Sequence, residues 1–303
     1  MLKNLNFTQA NAVNLLLGCI FLIIIGIGCS GGGDDRRDSS KDSSKSQTQN
    51  SGRDSTKPDT KVDTTKKTAA GNGRFVVEYV DVQNPEHETL AQIFHNSKYL
   101  ETIAGGLNKT YELPYDITLR TKSCGQVNAF WLPTDHSITL CYELMDVVEN
   151  TFIKNGSSEE EALKKMIYSM NFIFFHELGH ALIAAYDLPV AGNEEDAADK
   201  LAAYININNK NEISTLATIY AAQAFGLLAQ EDNPENLPFY DEHSLGQQRF
   251  YNIMCEVYGS DPEANKEIVS GGFLPESRAA RCPREYEQNA HTWQTLLKDH
   301  VKQ

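Results

Sequence analysis

The chain has 303 residues, room for one large domain or two small ones. Its 41 acidic residues against 27 basic ones leave a net charge of −14. That balance argues against nucleic acid or an anionic membrane surface as a partner, and it says nothing about fold.

Residues 1–29 read as a targeting segment. Lys3 gives a weakly basic start, and Val13 to Gly28 is almost wholly apolar and uncharged. That run is short for a spanning helix and fits the core of a secretory signal. It ends at Gly26-Ile27-Gly28-Cys29-Ser30, which resembles a bacterial lipoprotein signal in which the cysteine is lipidated and becomes the new N-terminus. Gly26 departs from the usual leucine. Leu16-Leu17-Gly18-Cys19 fits the local pattern better but would leave Ile20 to Ile27 as an apolar stub, so Cys29 is preferred. Residues 30–73 are rich in Ser, Asp, Lys, Thr and Gln, with no aromatic residue and Val62 as the only β-branched apolar one. Such a segment cannot bury enough apolar surface to offset its ordering entropy, so a disordered tether is expected. The expected location is the bacterial cell envelope, exported and lipid-anchored at the outer membrane or cell surface.

A folded domain is expected over 74–303. Phe75 to Val82 is valine-rich and predicts a strand. Asn84-Pro85-Glu86 predicts a helix start, Leu90, Ile93, Phe94, Leu100 and Ile103 its buried face, and Gly105-Gly106 its end. Strands follow at Tyr115–Arg120, Val127–Leu132 and Ser137–Cys141, then a helix over Tyr142–Asn155. Ser158 to Glu161 forms a capping box that opens the next helix. Beyond Tyr204 the pattern is mainly helical: Glu212–Ala229, Ser244–Tyr258 and Arg284–Val301.

The chemistry is concentrated between Phe172 and Tyr204. His176-Glu177-Leu178-Gly179-His180 places two histidines about one turn apart on one helix face, within reach of the same metal ion. Glu177 is the general base such a site needs, able to take a proton from metal-bound water. Five residues with three fixed also occur by chance. However, Phe172 to Phe175 and Ala181 to Ala184 make this helix apolar nearly all round, hence buried. Two histidines and a glutamate are costly there unless paired or metal-bound. Zinc takes a third protein ligand and leaves its fourth position to water. Glu194-Glu195-Asp196-Ala197-Ala198-Asp199 supplies candidates, and helical periodicity leaves Glu194 and Glu195 both open.

Outside the leader, Cys124, Cys141, Cys255 and Cys282 remain, an even number that suggests two disulfides in an exported domain. The simplest pairing is Cys124 with Cys141 and Cys255 with Cys282, among three arrangements that the sequence leaves open. His87, His95, His136, His291 and His300 have no supporting context.

His176-Glu177-x-x-His180 followed by Glu195-x-x-x-Asp199 resembles the gluzincins, the thermolysin-like branch of zinc peptidases. The resemblance implies Glu195 as third ligand and Asp199 as the carboxylate that orients His176. Asn128-Ala129-Phe130-Trp131 is identical to the tetrapeptide on the edge strand that holds the substrate backbone in those enzymes. The alternative is an ordinary amphipathic strand with Phe130 or Trp131 in the core. His243, beside Asp241 and Glu242, is the candidate transition-state donor, with Arg249 as a clamp on a substrate carbonyl and Tyr251 as an alternative. The chain is also similar to a family of secreted bacterial proteins catalogued as metallopeptidases with no defined substrate. That similarity is carried by the histidine helix, the acidic turn, Leu140-Cys141-Tyr142-Glu143-Leu144 and the stretch Asp241 to Phe250. Together these imply an α+β zincin: a small mixed sheet with an antiparallel edge strand, packed on the histidine helix, and a helical second half closing the cleft. The implied activity is hydrolysis of peptides or proteins with Zn2+. The rivals are a non-catalytic zinc-binding or interaction lipoprotein and a zinc amidase acting on cell-wall material.

Overall fold

A computed structural model describes residues 71–209, 212–230 and 243–302. The leader with Cys19 and Cys29, nearly all of the tether, and Asp241 and Glu242 lie outside the described residues. Strand β1 (Phe75–Val77) is followed by a 3-10 turn at Pro85–His87 and helices α1 (Glu88–Asn96) and α2 (Tyr99–Thr110). Strands β2 (Ile117–Lys122), β3 (Ala129–Leu132) and β4 (Ser137–Cys141) come next. Helices α3 (Tyr142–Lys154), α4 (Glu159–Tyr186), α5 (Glu194–Asn208), α6 (Glu212–Leu228) and α7 (Gly246–Ser260) follow. The chain closes with the short α8 (Glu267–Ser270) and α9 (Glu276–Ala279) and then α10 (Cys282–Leu297). The architecture is α+β, with one mixed four-stranded sheet and a helical second half. No helix among the described residues is long and apolar enough to cross a membrane.

The sheet runs β1-β2-β4-β3. β1 and β2, and β2 and β4, are parallel, while β3 is antiparallel to β4 and forms an edge. β2 and β4 are the two inner strands. β2 alternates, with Ile117, Leu119 and Thr121 buried, whereas every residue of β4 is buried. The expected strand over Phe75–Val82 stops at Val77, and beyond it Tyr79 packs edge-on against His95. The expected helix end at Gly105-Gly106 is also displaced. The break falls at Lys98, whose φ is 53°, and α2 then runs through both glycines. Burial of Ile103, Ala104 and Leu107 on one face outweighs the cost of about 1 kcal/mol that each glycine imposes on a helix.

Helix α4 is the centre of the packing. Ser158 Oγ accepts from the Glu161 amide and the Glu161 carboxylate accepts from the Ser158 amide, so the expected capping box starts it. Phe172, Phe174, Phe175, Leu178 and Leu182 are all essentially without solvent exposure. Each contributes roughly 1.5–3 kcal/mol by leaving water. Cys124 is bonded to Cys141 and Cys255 to Cys282, the simpler of the pairings open to the sequence. The first ties the loop before β3 to the end of β4, and the second ties α7 to α10.

A buried carboxylate sits in the helical half. Glu256 on α7 is 6% exposed and accepts from Asn289 Nδ2 of α10 at 3.0 Å. Burial pushes its pKa up to about 7, against the opposing pull of Asn289 and Lys200. A folded-state value above the unfolded one favours folding at low pH. That contribution is lost as pH rises from the ordinary glutamate range through about 7. Glu256→Gln is therefore predicted to gain stability relative to wild type, on the order of 1–3 kcal/mol, between pH 5 and pH 8. Urea unfolding at the two pH values measures this, and an unchanged difference would contradict it.

Candidate metal centre

His176, Glu177 and His180 occupy the C-terminal half of α4, and the acidic turn opens α5. Asn193 caps α5, its side chain accepting from the Glu195 amide at 3.0 Å. The two helices meet closely at Gly179, where a Cβ would stand 3.0 Å from Ala198 Cα and 3.1 Å from its Cβ. Only glycine permits that approach without displacement, and the approach sets the acids of α5 against the histidine face of α4.

Three donor groups converge there. His176 Nε2 stands 3.1 Å from Glu195 Oε2, His180 Nε2 stands 3.3 Å from Glu195 Oε1, and the two Nε2 atoms are 3.3 Å apart. Zinc–nitrogen bonds of about 2.0–2.1 Å in a tetrahedron separate ligand atoms by roughly 3.3 Å, so the donor set fits a zinc-sized cation. Each ring offers its other nitrogen to a carboxylate. His176 Nδ1 is 2.8 Å from Asp199 Oδ1, and His180 Nδ1 is 2.8 Å from Glu194 Oε1. With an ion bound, such partners would fix the tautomer so that the Nε2 lone pairs face it. Both glutamates left open by periodicity are thus in contact with histidine, on different sides of the rings. Nothing in the spacing of the sequence marks the partnership of Glu194 with His180.

Charge supports the same cluster. Burial raises the cost of the Glu195 carboxylate, but hydrogen bonds from His176, His180 and His243 hold its pKa far below the usual range. Asp199, also opposed by burial, is held down by Arg249 and His176. Burial pulls His180 down, yet Glu195 and Glu194 outweigh it and raise its pKa to about 9. His176 is likewise raised, Asp199 overcoming burial.

Glu177 is 7% exposed, and its Oε2 accepts from the Trp131 amide at 2.8 Å. That bond joins the candidate base to β3. Asn128, Ala129, Phe130 and Trp131 line one cavity of about 400 Å³ with His176, Glu177, His180, Glu195 and His243. The Asn128 carbonyl accepts from the Cys141 amide, so by alternation Phe130 also faces β4, and the backbone of Ala129 and Trp131 faces the open edge. Trp131 packs partly into the core, as does Ala129. His243 Nε2 lies 3.0 Å from Glu195 Oε2. Arg249 gives Nε and Nη2 to the two oxygens of Asp199 at 2.8 and 2.7 Å and stacks over Phe225. Tyr251 lines a different cavity, with Phe152 and Phe273, of about 440 Å³.

Asp199 therefore stands between Arg249 and His176. Asp199→Asn keeps the shape but puts an amide where a charged acceptor served both neighbours. Divalent-metal affinity, measured by competition with a chromophoric chelator, is predicted to fall about 10–100-fold. Unchanged affinity would remove Asp199 from the centre.

No curated protein and no solved structure matches the chain. One family model, described as "Putative metallopeptidase", matches residues 79–297, a span that runs to the last residue of α10 and holds all the donors above. With well over half its length matched and a metal-donor cluster at its centre, the chain belongs to that family, DUF4344.

Proposed function

We propose that the protein is a zinc-dependent peptidase that cleaves peptide bonds by attack of water. The observation that carries the reading is the meeting of His176, His180 and Glu195, with Glu177 beside them on α4. His176 Nε2, His180 Nε2 and the Glu195 carboxylate would hold the ion. Zinc bound there supplies a Lewis acid that polarises a carbonyl and acidifies water.

The remaining steps fall to the chain. Glu177 takes the proton of the attacking water on its carboxylate and hands it to the leaving nitrogen. The Trp131 amide fixes one oxygen of that carboxylate, which limits how it can turn. The same bond takes Trp131 N–H out of reach of a substrate, and Asn128 Oδ1 accepts from the Ala129 amide at 3.0 Å. The open edge of β3 therefore offers chiefly acceptors, the carbonyls of Ala129 and Trp131. An extended peptide would lie along it by donating its own N–H groups. Lipid anchoring through Cys29 at the cell envelope belongs to the same proposal and rests on the leader sequence alone.

Glu177→Gln is predicted to keep its zinc and to lose about 10²–10⁴-fold in kcat on a peptide library. Retained turnover would contradict the assignment of the base. A wild type that binds zinc and cleaves no peptide would favour the binding-protein reading, and cleavage confined to peptidoglycan would favour the cell-wall amidase.

A further inference from the structure

His243 lies just ahead of α7, and its environment differs from that of a transition-state donor. Such a donor stands off the ion across a substrate oxygen. Here His243 Nε2 is 3.0 Å from Glu195 Oε2, the oxygen that also faces His176 Nε2 at 3.1 Å. The rings of His176 and His243 lie with centroids 6.3 Å apart and planes 24° apart. One ligand atom from each of His176, Glu195 and His243 falls within 4.8 Å of the others.

Two hydrogen-bonded pairs fix this placement independently of any ion. Ser244 Oγ donates to Asp196 Oδ1 at 2.7 Å, beside Glu195 on α5. One turn further along α5, Asp199 accepts both bonds from Arg249 of α7. The start of α7 is thus pinned to the helix that presents the carboxylate, and His243 is carried to the donors with it.

We propose that His243 is a fourth protein ligand of the ion held by His176, His180 and Glu195, so that the described conformation is a closed, self-inhibited centre. The inference rests on the zinc reading above. Catalytic zinc sites keep one position open, whereas sites with four protein donors are closed to water and substrate. Turnover then requires His243 to withdraw. Its side chain is 43% exposed against 13% for Glu195, so it can leave without disturbing the core.

The test uses the full chain loaded with zinc or cobalt(II): wild type, His243→Ala, and Ser244→Ala, which loosens the pin without touching a donor. X-ray absorption at the zinc edge counts imidazoles, and the cobalt visible spectrum reports coordination. The expected result is three imidazoles in wild type and two in His243→Ala, with a changed cobalt spectrum. Peptide turnover is expected to rise several-fold in His243→Ala and to a lesser extent in Ser244→Ala. Two imidazoles and one spectrum in both wild type and His243→Ala would overturn the ligand assignment. A fall of 10²-fold or more in turnover for His243→Ala would overturn self-inhibition, since that is the loss expected for an oxyanion donor. Absence of bound metal from the wild type would instead sink the zinc reading, and this inference with it.

Discussion

One buried carboxylate organises the centre. Glu195 meets His176, His180 and His243 at 3.0–3.3 Å and is held ionised by them despite its burial. A carboxylate drawn this far from water is stable only against matched positive charge or a cation. Its position depends on how closely α5 approaches α4, and that distance is set where Gly179 faces Ala198. The rest of the fold makes the approach rigid. α4 is buried over most of its length, and α7 is fastened to α5 through Asp196 and Asp199.

The sheet enters this arrangement from the other side. β3 is an edge strand, so its outer backbone is open, yet one of its amides is bonded to Glu177. The candidate base and the candidate substrate platform are therefore one hydrogen-bonded unit. The disulfide between Cys124 and Cys141 closes the loop that leads into β3 and limits how far that edge can drift.

Much of this was legible in the sequence, for physical reasons that differ by residue. His176 and His180 are four apart on an apolar helix, and that spacing alone puts both rings on one side. The Ser158–Glu161 box and the pattern Ser137 to Cys141 marked element boundaries closely, since caps and full burial leave local signatures. Glu194 and Glu195 could not be separated, because they are neighbours on one helix and their difference arises from docking across Gly179. Arg249 was read as a substrate clamp, while the structure directs two of its donors to Asp199, fifty residues away in sequence. The amide of Trp131 on Glu177 was invisible for a related reason: backbone groups carry no sequence signature. The passage of α2 through Gly105 and Gly106 shows tertiary burial overriding propensity.

The central claim is that His176, His180 and Glu195 share one ion. Anomalous diffraction at the zinc edge, from crystals of the zinc-loaded protein, tests it most directly. The account predicts a single strong peak about 2.0–2.2 Å from Nε2 of His176, Nε2 of His180 and a carboxylate oxygen of Glu195. A peak elsewhere, or none between those three side chains, would contradict it.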